Sequence, residues 1–435
     1  MVRYHFIGIK GSGMSALAGI LSDCGHEVQG EDIEEFIFTQ KSLEHRNIPL
    51  YLFGSAPLDQ GMMVIISNAY RDDHPSLVRC LELNVPYVRY HQFLGELIKQ
   101  YTSIAITGAH GKTTTTGMLS HALRAVNPIC SLVGDGTGMG DQNANLFVFE
   151  SCEYKRHFLA YQPDIAVITN IDYDHPDYFS SVDDVRQAFE QMADQTQKQI
   201  IACGDDQQVR LLRTSTNILY YGFGEDNDLR AVNLNVHEQG VDFDVYDKNH
   251  FIDRFSISAF GNHNVLNALS IIGVSILLDL NLQVIKSQLG TFNGVQRRFT
   301  EKNWHSNVVI DDYAHHPTEV KVTIEAARSK YPNRKIVAIF QPHTYSRLEK
   351  LLEEFATSLA DADEVYLCPI FGSARESQGS VSIDHLQALI PNAQLFPETL
   401  GKLASYTDSV LVFMGAGDIE KYQQMLFQND SIHQT

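Results

Sequence analysis

The chain has 435 residues, 44% of them hydrophobic, too much for a single core and enough for two to four domains. Its 53 acidic residues against 33 basic ones leave a formal charge of −20, and the basic residues are scattered, which excludes a nucleic-acid or anionic-membrane footprint. No apolar run reaches the ~18 residues of a spanning helix, and the six cysteines stand singly without paired spacing, so a reduced, cytoplasmic protein without a zinc site is expected.

The chain runs directly into a predicted strand, Tyr4 to Ile9, with no leader expected. A glycine turn at Gly11 and Gly13 leads into a helix through Met14, Ser15, Leu17, Ile20 and Leu21, which stops at Gly25. The next strand, Glu27 to Gln29, ends at Gly30-Glu31-Asp32. Strand, glycine turn, helix and a following acid make a mononucleotide-binding unit: glycines admit a diphosphate to the helix end, and Asp32 is placed for a ribose or base. The order G-x-x-G-x-G from Gly8 does not specify NAD, and a purely structural glycine turn is the alternative. Strands at Met63 to Ser67 and Tyr87 to Arg89, a helix from Pro75 to Leu83 and a linker helix from Phe93 to Lys99 complete a first domain, residues 1–98.

A second domain, 99–299, opens with the β-branched run from Ile104, then Thr107-Gly108-Ala109-His110-Gly111-Lys112-Thr113-Thr114, and a helix predicted over Gly117 to Ala125. This is strand, phosphate loop, helix, shortened because the glycine expected five positions before Gly111 is Ile106. Backbone N–H groups and the helix end would meet an anion, Lys112 would bridge β- and γ-phosphates, and the Thr113 hydroxyl would hold Mg²⁺, so ATP binding is expected. A buried strand, Leu146 to Phe149, delivers Glu150 and Glu153 to its carboxyl end, and another, Ile165 to Asn170, leads to Asp172, Asp174 and His175. In a parallel sheet those ends share the crevice of the phosphate loop. Glu150 is therefore a candidate Mg²⁺ ligand, and His175 is either a second or a plain loop histidine. From about Gln199 short strands and turn residues suggest an antiparallel excursion. The apolar run from Ala268 to Leu280 reads as a buried helix whose start carries Asn264 and Asn267 on one face; their amides would read an adenine edge, or Asn262 or Asn264 simply caps the helix.

Gly294 to Phe299, with Arg297 and Arg298, reads as a domain junction. The third domain, 300–435, alternates strands and helices: Val308 to Asp312 followed by Tyr313-Ala314-His315-His316-Pro317-Thr318-Glu319, Lys335 to Phe340 followed by Gln341-Pro342-His343-Thr344-Tyr345-Ser346-Arg347, then Glu364 to Cys368 and Val410 to Met414. The expected class is α/β in three domains: a Rossmann-like N-terminal domain, a central P-loop-type ATPase domain with a parallel sheet, and a Rossmann-like C-terminal domain.

In this order, these blocks closely resemble the Mur ligases, the ATP-dependent ligases that build the peptidoglycan peptide, and among them the branch that joins L-alanine to UDP-N-acetylmuramate. The Asp311 to Pro317 and Gln341 to His343 blocks are its specific part. The resemblance implies a UDP-binding first domain, with Gly11, Gly13, Met14 and Ser15 at the diphosphate and Asp32 and Ser67 near the nucleoside. It implies an ATP site at Gly108 to Thr114, Mg²⁺ on Thr113, Glu150 and His175, adenine on Asn264 and Asn267, and the ATP ribose on Asp312. Lys112, Arg298 and His175 would be catalytic, and His343, Tyr345 and Arg347 would hold the amino acid. A monomer or weak homodimer is expected, without nucleic-acid or membrane partners. Three positions depart from the family pattern: Ala109 replaces a threonine, Cys152 an aspartate and Thr344 an arginine. His110, His315 and His316 are candidates to take the amine proton. Other readings are a recycling ligase that attaches a tripeptide, a nicotinamide-dependent dehydrogenase and a non-catalytic nucleotide-binding scaffold.

Overall fold

The computed structural model describes residues 2–372, 376, 378–397 and 402–433, with side chains to Phe427. Three sheets follow one another along the chain. The first places its strands in the order Leu50–Leu52, Glu27–Asp32, Arg3–Ile7, Met62–Ile66 and Tyr87–Arg89, all parallel. Its middle strands are apolar on both faces, with Phe6, Ile7, Val64, Ile65 and Ile66 fully buried, as helices on both sides require.

The second sheet has ten strands. Its parallel heart runs Ile129–Leu132, Leu146–Glu150, Thr102–Thr107, Ile165–Ile168, Gln199–Cys203 and Ile218–Gly222. The antiparallel excursion expected from Gln199 therefore begins later, with Leu229–His237, Gly240–Asp247 and His250–Ile257. Buried Ile200, Ile201, Ala202 and Tyr221 pair in the core, while the acids between the two strands, Asp205 and Asp206, gave the segment the look of an excursion.

Two helices also start earlier than their apolar patterns suggest. The helix of the phosphate loop spans Lys112–Arg124. Thr115 and Thr116 are buried in its first turns although polar, and the Thr116 hydroxyl donates to the Lys112 carbonyl at 2.8 Å, which satisfies it inside the helix. The apolar helix spans Asn262–Leu277; Gly261, at φ 89°, precedes it, and no side chain caps it. The linker helix is Tyr90–Leu97, continued by a 3₁₀ turn at Ile98–Gln100. The third sheet runs Thr300–Trp304, Asn307–Asp312, Ser409–Met414, Lys335–Phe340, Glu364–Leu367 and Ala393–Leu395, parallel except for its first hairpin. Among the described residues no helix is long and apolar enough to cross a membrane.

The seams between the sheets differ in chemistry. One apolar cluster runs from Leu17 and Ile20 of the first unit to Phe147 and Phe149 of the second. The tenth strand of the second sheet, Gly138–Met139, antiparallel at its edge, reaches across: the Arg46 guanidinium donates to the Gly138 carbonyl at 2.7 Å, and a Cβ at Gly138 would lie 1.9 Å from the Ala16 carbonyl oxygen. The third unit has its own apolar clusters, onto one of which Tyr173 of the second unit packs, and it also meets the second through ions described below. Gly138→Ala is expected to destabilise the protein by about 1–3 kcal/mol, because backbone faces backbone there and neither yields as a side chain would. Urea unfolding checks this; a midpoint equal to wild type would show that the contact is not close-packed.

Candidate active site

The carboxyl ends of the central strands carry the site. Strand Thr102–Thr107 ends at Gly108, whose φ of 138° and whose approach to Thr169, with a Cβ only 2.0 Å from its Oγ1, leave room for glycine alone. The loop is clamped from the neighbouring strand. The Ala109 N–H donates to the Asn170 carbonyl at 3.2 Å, the His110 N–H to the Asn170 side-chain oxygen at 2.8 Å, and the Thr169 hydroxyl and Asn170 amide both donate to the His110 carbonyl. The amides of Ala109 and His110 are thus already engaged. Those of Lys112, Thr113 and Thr114 open the helix, where first-turn N–H groups lack intrahelical acceptors and face an incoming anion.

The Lys112 ammonium is turned back onto its own loop: it donates to the Gly108 carbonyl, to the Ala109 carbonyl at 3.0 Å and to Glu153 Oε2 at 3.0 Å. Buried, it would titrate low, but Glu153 and its neighbours hold it above the ordinary lysine range. The Thr113 hydroxyl donates to Glu150 Oε2 at 2.7 Å. His175, at φ 56°, stands with Nε2 3.4 Å from Glu153 Oε1. Burial alone would lower its pKa; Asp174, Cys152 and Glu153 push it up to about 10.

Two cavities meet at this loop. The larger, about 530 Å³, is lined by Gly111, Thr114, Asn264, Asn267 and Asp312. The Asn267 amide donates to Asn264 Oδ1 at 3.3 Å, and that of Asn264 to the Phe260 carbonyl at 2.8 Å, so neither asparagine is an N-cap. Asp312 accepts the N–H groups of Phe299 and Ala314, each at 2.8 Å, and burial pushes its carboxyl up to about 6. The smaller cavity, about 250 Å³, draws on all three units: Ser12 and Phe38, then Lys112, Thr113, Glu150 and His175, then His315. Arg298 lines both, 3.2 Å from Glu319 and over the Tyr313 ring at 5.2 Å.

Carboxylates join the second and third units. Asp174 takes two bonds from Arg347, at 2.8 and 3.1 Å, both side chains buried, so the Arg347 guanidinium is committed. His110 sits between Asp172 at 3.0 Å and Glu319 at 3.7 Å; burial opposes its charge, but the two carboxylates push it up to about 9. The His316 ring lies tilted against it, centroids 4.5 Å apart, and is pushed down to about 4 by burial and by the His110 charge. Asp172, Asp174, Glu153 and Glu319 are hubs that spacing alone did not single out; their signal is an acid within a few residues of a buried strand's carboxyl end.

Other expected residues lie apart from the loop. Gly11 precedes helix Ser12–Asp23, whose Met14 and Ser15 side chains are buried, leaving backbone to the cleft. Both Asp32 oxygens accept backbone N–H groups, of Lys10 at 2.7 Å and Ile33 at 2.8 Å, so this acid first shapes the glycine turn. A Cβ at Gly13 would meet the Tyr90 hydroxyl at 2.7 Å. The Ser67 hydroxyl accepts the Ala69 N–H. In the third unit the His343 ring stacks on Phe371 at 5.7 Å and accompanies Arg347, and Tyr345 begins the helix Tyr345–Lys350 after Thr344, a β-branched residue at φ 69°.

Three family models match consecutive stretches: residues 3–102 the Mur ligase family catalytic domain, 106–275 the Mur ligase middle domain and 297–417 the Mur ligase glutamate ligase domain. The chain belongs to the Mur ligase family. Among solved structures, the UDP-N-acetylmuramate-alanine ligase of Thermotoga maritima is 28% identical with a TM-score of 0.82, over 99% of this chain and 100% of that one. The UDP-N-acetylmuramate:L-alanyl-gamma-D-glutamyl-meso-diaminopimelate ligase of Neisseria meningitides is 26% identical, TM-score 0.60, over 68% of this chain and all of that one. A murein peptide ligase of Psychrobacter arcticus, 23% identical over 98% of each chain with a TM-score of 0.71, shares the fold. As a Mur ligase, the protein is an ATP-dependent enzyme that forms C–N bonds in peptidoglycan assembly.

The His110 pairing carries a pH dependence. Its folded pKa lies above the ordinary 6.5, so the stabilisation is full below about pH 6.5 and is lost as pH rises towards 9. The stability gap between wild type and His110→Asn, about 1–3 kcal/mol at pH 6, is expected to close across that window in urea unfolding at stepped pH. A gap that stays flat would deny the imidazolium its role.

Proposed function

We propose that the protein joins L-alanine to the lactyl carboxylate of UDP-N-acetylmuramate, using ATP and Mg²⁺, through an acyl phosphate. The observation that carries the amino-acid assignment is the end-to-end likeness to the Thermotoga maritima alanine ligase. In this reading UDP lies against Gly11, Gly13 and the start of helix Ser12–Asp23, with Asp32 and Ser67 on the nucleoside side. Adenosine fills the larger cavity, its base at Asn264 and Asn267 and its ribose at Asp312, while the γ-phosphate enters the smaller one.

The Thr113 hydroxyl and Glu150 carboxylate, hydrogen-bonded at 2.7 Å on one wall, are hard oxygen donors that fit Mg²⁺. His175 lines the same wall but would have to turn from Glu153 to join them. Bound there, Mg²⁺ supplies charge neutralisation to the transferred phosphoryl group. Lys112 moves from its loop carbonyls and Glu153 onto the β- and γ-phosphates, and Arg298 approaches from the domain junction. Both offset charge that grows in the transition state.

Phosphorylation matters because a carboxylate has no good leaving group. Once the lactyl carboxylate holds the γ-phosphoryl, the neutral amine of L-alanine attacks its carbonyl carbon, and the tetrahedral intermediate expels phosphate. His110 is held cationic and His316 has both ring nitrogens engaged, so neither is free to take the amine proton. His315, whose Nδ1 donates to the Tyr313 carbonyl at 3.0 Å, leaves Nε2 as its basic nitrogen and lines the smaller cavity. It is the proton acceptor in this reading. His343 and Tyr345 border the amino-acid side, with Arg347 acting through Asp174. A site walled by three units excludes water from the acyl phosphate.

The runner-up is attachment of a preformed tripeptide, favoured by the likeness to the Neisseria meningitides ligase. The deciding assay is phosphate release from ATP with Mg²⁺ and UDP-N-acetylmuramate, comparing L-alanine, glycine, L-serine and the tripeptide, with the product identified by mass. Release that needs both the sugar nucleotide and L-alanine is expected; release with tripeptide alone selects the runner-up, and none with any acceptor leaves a nucleotide-binding scaffold. Lys112→Ala is expected to lower kcat/KM by more than ~100-fold, about 3 kcal/mol of transition-state stabilisation. If it weakened ATP binding and left turnover at saturation intact, Lys112 would not be catalytic.

A further inference from the structure

The strands Leu146–Glu150 and Ile165–Ile168 flank the phosphate-loop strand, one on each side. Beyond their ends stands a second set of donors that the reading above does not use as metal ligands together. Cys152, Glu153 and His175 each offer one atom within 4.8 Å of the other two. Glu153 Oε1 lies 3.4 Å from His175 Nε2. Glu153 is buried and Cys152 exposed, so the set has a fixed wall and an open side. The Nδ1 of His175 is buried and without a hydrogen-bond partner among the described residues.

The chemistry of the three donors is mixed: a soft thiol, a borderline imidazole and a hard carboxylate. Mg²⁺ selects oxygen. Zn²⁺ takes cysteine, histidine and carboxylate together, in tetrahedral sites with bonds of about 2.0–2.3 Å. At tetrahedral angles such bonds put donors about 3.3–3.8 Å apart. The carboxylate and imidazole already stand at that spacing, and the exposed thiol closes the remainder by rotating about χ1.

We propose that Cys152, Glu153 and His175 form a binding site for a borderline-soft divalent cation of the Zn²⁺ class, separate from the Thr113–Glu150 oxygens, with its fourth position open to water. Binding is proton exchange without redox change. The thiol and the imidazolium each release a proton to solvent, and sulfur–metal and nitrogen–metal bonds form in their place. Glu153 is also the carboxylate that holds Lys112, with Oε2 3.0 Å from its Nζ. A cation on Glu153 draws off the charge that keeps this ammonium folded back, so occupancy changes the partner of the phosphate-loop lysine. That consequence rests on the role proposed for Lys112; the site itself does not. Isolated cysteines hid it from the sequence, because its three donors come from two strand ends rather than from one Cys-x-x-Cys run.

The test uses the full chain without ATP or substrates, in excess Mg²⁺. Co²⁺ serves as the spectroscopic stand-in for Zn²⁺. Wild type is expected to take up one equivalent with a near-ultraviolet thiolate-to-cobalt charge-transfer band, and Cys152→Ser to lack the band. Zn²⁺ affinity, from competition with a chromophoric chelator, is expected to fall more than ~10-fold in Cys152→Ser and in His175→Ala. Circular dichroism of the metal-free variants separates loss of a ligand from loss of fold. Should Cys152→Ser not fold, protection of wild-type Cys152 from iodoacetamide by Zn²⁺, read by peptide mass, replaces it. No uptake against Mg²⁺, unchanged affinity in Cys152→Ser, or alkylation of Cys152 undiminished by Zn²⁺ each overturns the proposal. Because binding is read without turnover, failure of the ligase assay and failure of the metal site are distinguishable.

Discussion

An acidic chain that gathers anionic substrates must first neutralise its own carboxylates, and where the second and third units meet this protein does so with arginine and histidine side chains. Arg347 of the third unit closes on Asp174 of the second in a buried two-bond pair. Glu319 of the third unit is shared by His110 of the phosphate loop, by Arg298 of the junction and by its neighbour His315, and these partners hold its carboxyl well below the ordinary range against the opposing effect of burial. Removing one partner of such a buried pair strands the other, at about 3–5 kcal/mol. With Glu319 and Asp174 so paired, the first-turn amides of helix Lys112–Arg124 are left without intrahelical acceptors at the cavities.

Much of the architecture was legible because the signals were local and repeated. Buried parallel strands read as apolar runs, each ended at a glycine, acid or amide, and the crevice formed where those ends converge. The phosphate loop was readable from Gly111-Lys112-Thr113 despite its shortened form. Helix starts were misjudged where the first turn is polar yet buried, as at Thr115 and Thr116, because periodicity counts apolar residues and misses hydroxyls bonded back to the helix. Gln199 to Gly222 was misread for the complementary reason: strands of the parallel heart separated by acids resemble a surface excursion.

The site was legible by residue type and less so by pairing. Thr113 and Glu150 do meet, but His175 faces Glu153, Arg347 faces Asp174, and Ala109 and His110 give their amides to Asn170. Each of these partners lies between about 22 and 173 residues away in sequence, so no window of local pattern contains both members. The lysine turned back on its loop belongs with this set. Without phosphate, an ammonium in a buried loop needs acceptors, and the nearest are the carbonyls of Gly108 and Ala109 and the Glu153 carboxylate.

The two seams answer to different physical variables. The one between the first and second units is apolar, with Leu17 and Ile20 in a common cluster with Phe147 and Phe149, so its strength falls on cooling. The one between the second and third units has Tyr173 as an apolar contact but is rich in ion pairs, so its attraction depends on the charge state of His110, Asp174 and Glu319. Arg298, which pairs with Glu319 across that seam, is the cation that a nucleotide phosphate would contest in the proposed reaction. A change of pH therefore bears on the second seam, and cooling bears on the first.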